Sequence, residues 1–331
     1  MGVPEKVDVP IDPVKLAANN LANETDSDVY LFNSGIQRPY DQELIDDVAG
    51  VPKRRTNVIL ILVSEGGDAD AAYRMARCLQ DKYEKFVCIV PGYCKSAGTL
   101  LAIGANDLVL GDSGELGPLD VQMTKKDELG EWQSGLTVTS SIRGLHERSF
   151  SAFEDFFMNI KRRSFNRITF KTATDIAAKL TGALFAPIFQ QIDPIHVGES
   201  LRATSIALHY GVRLDAVSDN LKTGEALDTL ISKYPHHGFV IDRKEARRLF
   251  RRVRNLNETE AVLICALDDA AKVPQSDDDA QREFLSDPKE EEANATGEAG
   301  AELVPGKAVE PAPAPAGGHV QPLKKPITSI A

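Results

Sequence analysis

The chain has 331 residues, of which 42% are hydrophobic and 26% charged, with a formal net charge of -11. That length and composition fit one large or two small globular domains and exclude a low-complexity or fibrous chain. The acidic balance argues against wholesale nucleic-acid binding. It is uneven, with 11 acidic against 5 basic residues from Pro274 to the end, so the part expected to fold is only mildly acidic.

From the N-terminus, Met1-Gly2-Val3-Pro4 leads into polar and acidic residues, with no basic segment followed by an apolar run. The expectation is a cytoplasmic protein without a membrane span, its first 25 residues an N-terminal extension. Short apolar runs follow at 28–32 (DVYLF), 57–63 (NVILILV), 85–90 (KFVCIV) and 107–111 (DLVLG). The middle two are almost continuously apolar, as strands buried on both faces are. Helical patterns lie between them at 41–50, 69–83 and 97–105. Strand alternating with helix predicts right-handed crossovers and a largely parallel sheet, an α/β core over 26–125.

Beyond the core, the stretches 141–163, 172–192, 198–214 and 242–256 have helical spacing, which makes 126–273 a helical extension of the same unit. The basic run at 242–256 and the Lys/Arg triplets at 53–55 and 161–163 read as solvated faces rather than RNA-binding surfaces. The charge runs and Pro/Ala repeats of 274–331 are too poor in large apolar side chains to offset the entropy of ordering and predict a disordered acidic tail, a possible site for a binding partner. Cys78, Cys88, Cys94 and Cys265 have no metal or redox spacing and read as reduced packing thiols. No His/Cys/Asp cluster has metal-ligand spacing, so neither metal nor other cofactor is expected.

Two glycine-rich turns carry the chemistry. VSEGGDAD (63–70) follows the second strand and PGYCKSAG (91–98) the third, and ligands of such sheets gather beyond the carboxyl ends of the strands. If the strands are neighbours, Gly66 and Gly67 lie beside Ser96. Gly67 without a Cβ offers a closely approachable N–H, and Ala97, just after the serine, offers a second. The alternative reading of Ser96 is a plain helix N-cap.

The order LVSEGGDADAAYRMAR, IVPGYCKSAGTLLAIGAND, LVLGDSGELGPLDVQ resembles the Clp protease proteolytic subunit and signal peptide peptidases, and more closely the serine dehydrogenase proteinase family. The resemblance is strong over 26–122 and weaker through YPHHGFVIDRKEARRLF (234–250). It implies a ClpP/crotonase-like fold of repeated strand-strand-helix turns and a serine peptidase that forms homo-oligomers. By motif, Ser96 is the nucleophile, and Gly67 with Ala97 supply the oxyanion donors, beside Gly66.

The general base is the departure from the family pattern. A Clp-type histidine is expected in the loop after the fourth strand, but GDSGELGPLDVQM (111–123) has none. His237 is the leading candidate, since a neutral imidazole acts as base without a large pKa shift. Lys126 and its neighbour Lys125 are candidates that require a lowered pKa, and His146 is a further one. Lys95 is expected to diverge from Ser96 and contact a phosphate or carboxylate. Glu115 and Asp120 orient a base or cap the loop.

Two rival functions remain at this stage. A crotonase-type acyl-CoA enzyme would use the same oxyanion hole, but the chain lacks a Gly-Gly pair at the Ser96 turn and an evident carboxylate pair. A catalytically weak or inactive oligomeric scaffold would keep the fold without the base.

Overall fold

The computed structural model describes residues 12–119, 122–124 and 132–289, with side-chain surroundings for 12–119 and 141–289. In chain order the elements are α1 (Pro13–Thr25), β1 (Ser27–Asn33), α2 (Tyr40–Gly50), β2 (Asn57–Val63), α3 (Ala69–Lys82), β3 (Lys85–Val90), β4 (Tyr93–Cys94), α4 (Ala97–Ile103), β5 (Asp107–Leu110), β6 (Glu115–Leu116), β7 (Gln122–Thr124) and β8 (Trp132–Ser134). The helical half follows with α5 (Gly135–Arg163), α6 (Phe170–Phe189), α7 (Pro194–Ser218), α8 (Gly224–Ser232), α9 (Arg243–Leu249), β9 (Val253–Arg254), α10 (Glu258–Leu267), a short 3-10 turn (Asp268–Ala271) and β10 (Gln281–Phe284).

Six strands form the main sheet in the order β10-β1-β2-β3-β5-β9. β1, β2, β3, β5 and β9 run parallel, and β10 closes one edge antiparallel to β1. The mixed α/β expectation therefore holds. Successive side chains of a strand point to opposite faces, and the two cores follow that period. Tyr30, Phe32, Leu60, Leu62, Cys88, Val90, Leu108 and Leu110 face a core shared with α2, α3, α4 and part of α7. Val29, Leu31, Ile59, Ile61, Val87, Ile89 and Val109 face a second core with α1 and α10. Full burial of each of these large side chains contributes about 1.5–3 kcal/mol, which is why the continuous run at 57–63 folds as a central strand.

The helices start where local chemistry directs. Asp12 caps α1 with Pro13 at its first position, Asp68 caps α3, and Asn257 with Glu260 forms a capping box on α10. α1 lies inside the stretch read as an extension. Its Ala17, Ala18, Leu21 and Ala22 cover the second face of the sheet, a role invisible to a reading that began at the first apolar run.

Two further segments differ from expectation. The helix read at 242–256 ends at Leu249, and Val253–Arg254 pairs with β5 as an edge strand. Arg247 and Arg248 of α9 are exposed, as a solvated face would be, but the arginines beyond it also make bonds: Arg252 donates to the carbonyls of Asn106, Ser218 and Asp219, Arg251 to that of Leu221, and Arg254 pairs with the buried Glu260. They satisfy carbonyls that the end of α7 leaves open. Arg55 of the first basic triplet, by contrast, is buried, beside Asp28. Residues 274–289, which composition placed in the tail, are ordered: Phe284 packs edge-on to Tyr30, and Arg282 lies 3.8 Å over the Tyr40 ring and pairs with Glu43 at 2.7 Å. One aromatic residue and one stacked cation outweigh the polar composition around them. The rest of that tail, from 290 on, lies outside the described residues.

Candidate active site

β2 and β3 are adjacent and parallel, so their two following turns meet. Ser64 N–H donates to Tyr93 O at 3.0 Å and Lys95 N–H to Ser64 O at 2.9 Å, while the buried Ser64 hydroxyl accepts from Gly66 N–H. Gly66 has φ +102°, and a Cβ there would stand 2.7 Å from Ser96 Cβ and 3.2 Å from Ala97 N. The glycine pair thus lies against the serine corner, as the sequence led one to expect.

Ser96 precedes α4 at the N-cap position, but its side chain makes no capping bond. Its backbone lies at φ 50°, ψ -115°, a region that side-chain-bearing residues adopt at a cost of about 1–3 kcal/mol. A strained serine on a sharp turn from strand to helix is the geometry that exposes a nucleophilic hydroxyl. The simple N-cap reading is thereby set aside.

Gly67 sits at φ +139°, in a parallel bridge with Ile36. Ile36 N–H donates to Gly66 O, and Asp68 N–H donates to Ile36 O. The bridge uses the groups flanking Gly67, so Gly67 N–H itself points away from Ile36. Ala97 N–H opens α4, where a helix leaves its first amides without intrahelical acceptors.

A cleft of about 800 Å³ opens over this corner, lined by Gly35, Gln37, Glu65, Gly66, Gly67, Asp68, Ala69, Asp70, Ser96, Ala97, Leu100, Leu119, Ala203, Ile206, Ala207 and His237. It gathers Ser96, Gly66, Gly67, Ala97 and His237 on one surface. His146 is exposed on α5 and does not line this cleft. Lys125, Lys126 and Asp120 lie outside the described residues.

His237 reaches the cleft through docking of a remote segment. Leu116 and Ile241 exchange two 3.0 Å backbone hydrogen bonds, and β6 pairs in turn with β4, immediately before the serine. Thr99 Oγ1 donates to Gly117 O at 2.8 Å and accepts from Gly117 N–H at 3.2 Å, fastening the same strip to α4. Glu115 pairs with Lys95, its Oε1 3.1 Å from Lys95 Nζ. Lys95 indeed diverges from Ser96 into a carboxylate contact.

The wall made by Ala203, Ile206 and Ala207 of α7 was not foreseen. α7 is held on α3 by the stacked rings of Tyr73 and Tyr210, 4.2 Å apart, and by Tyr210 Oη donating to Asp70 Oδ1 at 2.6 Å. The only local signal is the apolar face of a helix whose docking partner lies far back in the chain.

The four cysteines are free; Cys88 and Cys94 are buried as packing thiols are, with burial pushing the Cys94 thiol up to about 12, whereas Cys265 is exposed. Among the described residues, no group of three or more His, Cys, Asp or Glu has the arrangement to hold a metal ion. Among them also, no helix is long and apolar enough to cross a membrane.

Residues 41–128 match the family described as ClpP-like SDH-type serine proteinase. The matched stretch contains both glycine turns, Ser96 and the 115–117 strip, whereas His237 lies outside it. The chain is 32% identical over 82 residues to the uncharacterized protein MJ0137 of Methanocaldococcus jannaschii, a quarter (25%) of this chain and 28% of that one. It is 33% identical over 64 residues to the uncharacterized protein MJ1495 of the same organism, 19% of this chain and 22% of that one. The chain thus spans about a quarter of the length of the curated relatives it matches. Two solved structures of mutants of the 1510-N membrane-bound stomatin-specific protease are similar at 14% and 15% identity, with TM-scores of 0.40 and 0.41. They cover 69% and 71% of this chain and 79% and 77% of theirs, and the second is in complex with a substrate peptide.

Proposed function

We propose that the protein is a serine peptidase of the Clp-fold type, acting through an acyl-enzyme on Ser96. The observation that carries this reading is the strained, uncapped serine at φ 50° opening onto the same cleft as the glycine pair and His237. In this reading His237 takes the Ser96 Oγ proton as the oxygen attacks a peptide carbonyl carbon. The resulting oxyanion lies between Gly67 N–H and Ala97 N–H. The imidazolium then gives its proton to the leaving amine as the C–N bond breaks. Water repeats the sequence to hydrolyse the ester and free the serine.

The cleft also favours a peptide over an acyl-CoA thioester. Its apolar lining is made of small and branched side chains, Ala203, Ile206, Ala207, Leu100 and Leu119, while Glu65, Asp68 and Asp70 stand at the same cleft and would repel the phosphates of a CoA-type ligand.

The test is labelling with a fluorophosphonate probe. Wild-type protein is expected to be modified at Ser96 and Ser96→Ala to be unmodified while remaining folded. His237→Gln is expected to slow labelling and peptide cleavage by about 10²–10⁴-fold. Labelling of Ser96→Ala at another serine would remove the assignment.

A homo-oligomer is part of the same reading. The helical half leaves Phe170, Leu184, Ile195 and Val212 more than half exposed, more open apolar surface than a monomer ordinarily carries on two consecutive helices. Sedimentation velocity is expected to show a species larger than 36.0 kDa.

A further inference from the structure

Lys95 is buried, at 2% exposure. Charged side chains are almost never so enclosed unless each donor is satisfied. Its Nζ lies 3.1 Å from Glu115 Oε1, donates to Leu116 O at 3.3 Å and to Phe239 O at 3.4 Å, and stands 5.2 Å from the centre of the Tyr93 ring. The stem occupies a slot that exists because residue 117 is glycine: a Cβ there would approach Lys95 Cδ to 2.7 Å and Lys95 Cα to 3.2 Å. One cation therefore joins the nucleophile corner, the 115–117 strip and the segment that begins two residues before Phe239 with His237.

We infer that Lys95 is a positioning residue that fixes the His237 segment against Ser96. This inference rests on the reading of Ser96 and His237 as the reacting pair. Its physical basis is that the Phe239 carbonyl and the Leu116–Ile241 bridge are ties that hold 237–241 to the corner, and Lys95 Nζ bonds to carbonyls on both sides of that bridge. A charge-assisted donor in a buried site is stronger than a neutral one. Without it, the Phe239 carbonyl and the Glu115 carboxylate lose this donor, the Leu116 carbonyl keeps only the Ile241 amide, and the His237 segment loses one of its ties to the serine corner. A displacement on the order of 1 Å is enough to cost about 100-fold in rate.

The test compares Lys95→Met, which keeps the length of the stem but not the cation, with wild type and with His237→Gln. Lys95→Met is expected to lower kcat at least ten-fold with KM unchanged within two-fold, Lys95→Arg to recover part of the loss, and Lys95→Met to add nothing in the His237→Gln background. Hydrogen exchange at the Ile241 amide is expected to accelerate at least ten-fold in Lys95→Met while amides of β2 keep their protection. Full kcat with unchanged Ile241 exchange, a loss confined to KM, or an effect that multiplies with that of His237→Gln would each overturn the inference. Should His237→Gln cleave at the wild-type rate, the base assignment falls by itself, and Ile241 exchange alone then decides for or against the tether. If Lys95→Met does not fold, Gly117→Ala, which crowds the stem while leaving the charge, is expected to give the same kcat loss and the same Ile241 exposure; normal values of both would be equally decisive against it.

Discussion

Gly66 lies so close to Ser96 that a single added carbon would bring the two β-carbons to 2.7 Å, and the same carbon would stand 2.8 Å from Lys95 O. Neither neighbour is the free end of a flexible side chain, and the glycine is at φ +102°. Gly66→Ala is therefore expected to destabilise the fold by about 1–3 kcal/mol from backbone strain, with the contact adding to it. Urea unfolding checks the stability. Fluorophosphonate labelling of whatever remains folded should be slower than wild type, because relief of the contact moves the serine corner.

The positive φ of Ser96 separates two nucleophile-free variants. Both Ser96→Ala and Ser96→Gly remove the hydroxyl, but alanine inherits the strained backbone and glycine relaxes it. Ser96→Gly is expected to be more stable than Ser96→Ala by about 1 kcal/mol, reversing the usual order in which glycine is the less stable residue. Denaturant titration of the two variants side by side tests this, and equal or inverted stabilities would argue that the elbow is unstrained.

Asp26 gives the acid limb a sign. Lys289 donates to its Oδ1 and Thr56 to its Oδ2, which holds the carboxyl at about 2, below the usual carboxylate range. A folded value below the unfolded one means stability that is complete above about pH 4 and is lost as pH falls through about 2. Asp26→Asn, which tolerates the left-handed backbone at this position, is expected to flatten the stability profile over that window. The group is largely solvated, so salt should shrink the difference. The readout is the urea midpoint of both proteins from pH 5 to pH 2.

Truncation distinguishes the ordered from the compositional end of the chain. Removal of residues 290–331 is expected to leave the unfolding midpoint unchanged. Ending the chain at 279 removes β10, its pairing with β1, the Phe284–Tyr30 contact and the Arg282 stack, with an expected loss of about 2 kcal/mol or more. Equal midpoints for the two truncations would show that the strand adds nothing to the fold.

The limits of the sequence are visible at particular residues. Phe284 and Arg282 sit in a stretch with three consecutive aspartates just upstream and a glutamate run just downstream. Average composition therefore hid a four-residue strand whose partner is the first strand of the chain. The arginines at 251–254 look like a solvated helix face until the carbonyls they satisfy come into view. Those carbonyls belong to residues 106 and 218–222. Lys95 gives no hint of burial, because the slot that receives it is made by Gly117 and the acceptor that completes it is Phe239.

The alternation of strand and helix, the two glycine turns and the serine corner were set by the sequence itself, since apolar period, turn chemistry and the special freedom of glycine act over a few residues. The nearness of Gly66 to Ser96 followed once two neighbouring strands were assumed parallel. Tertiary structure alone decided that His237 and α7 line the cleft, that Glu115 binds Lys95, and that the chain returns at 281–284 to close the sheet. These contacts join segments far apart along the chain. They depend on which buried surfaces and unpaired carbonyls face each other after folding, a fact that no local pattern of residues encodes.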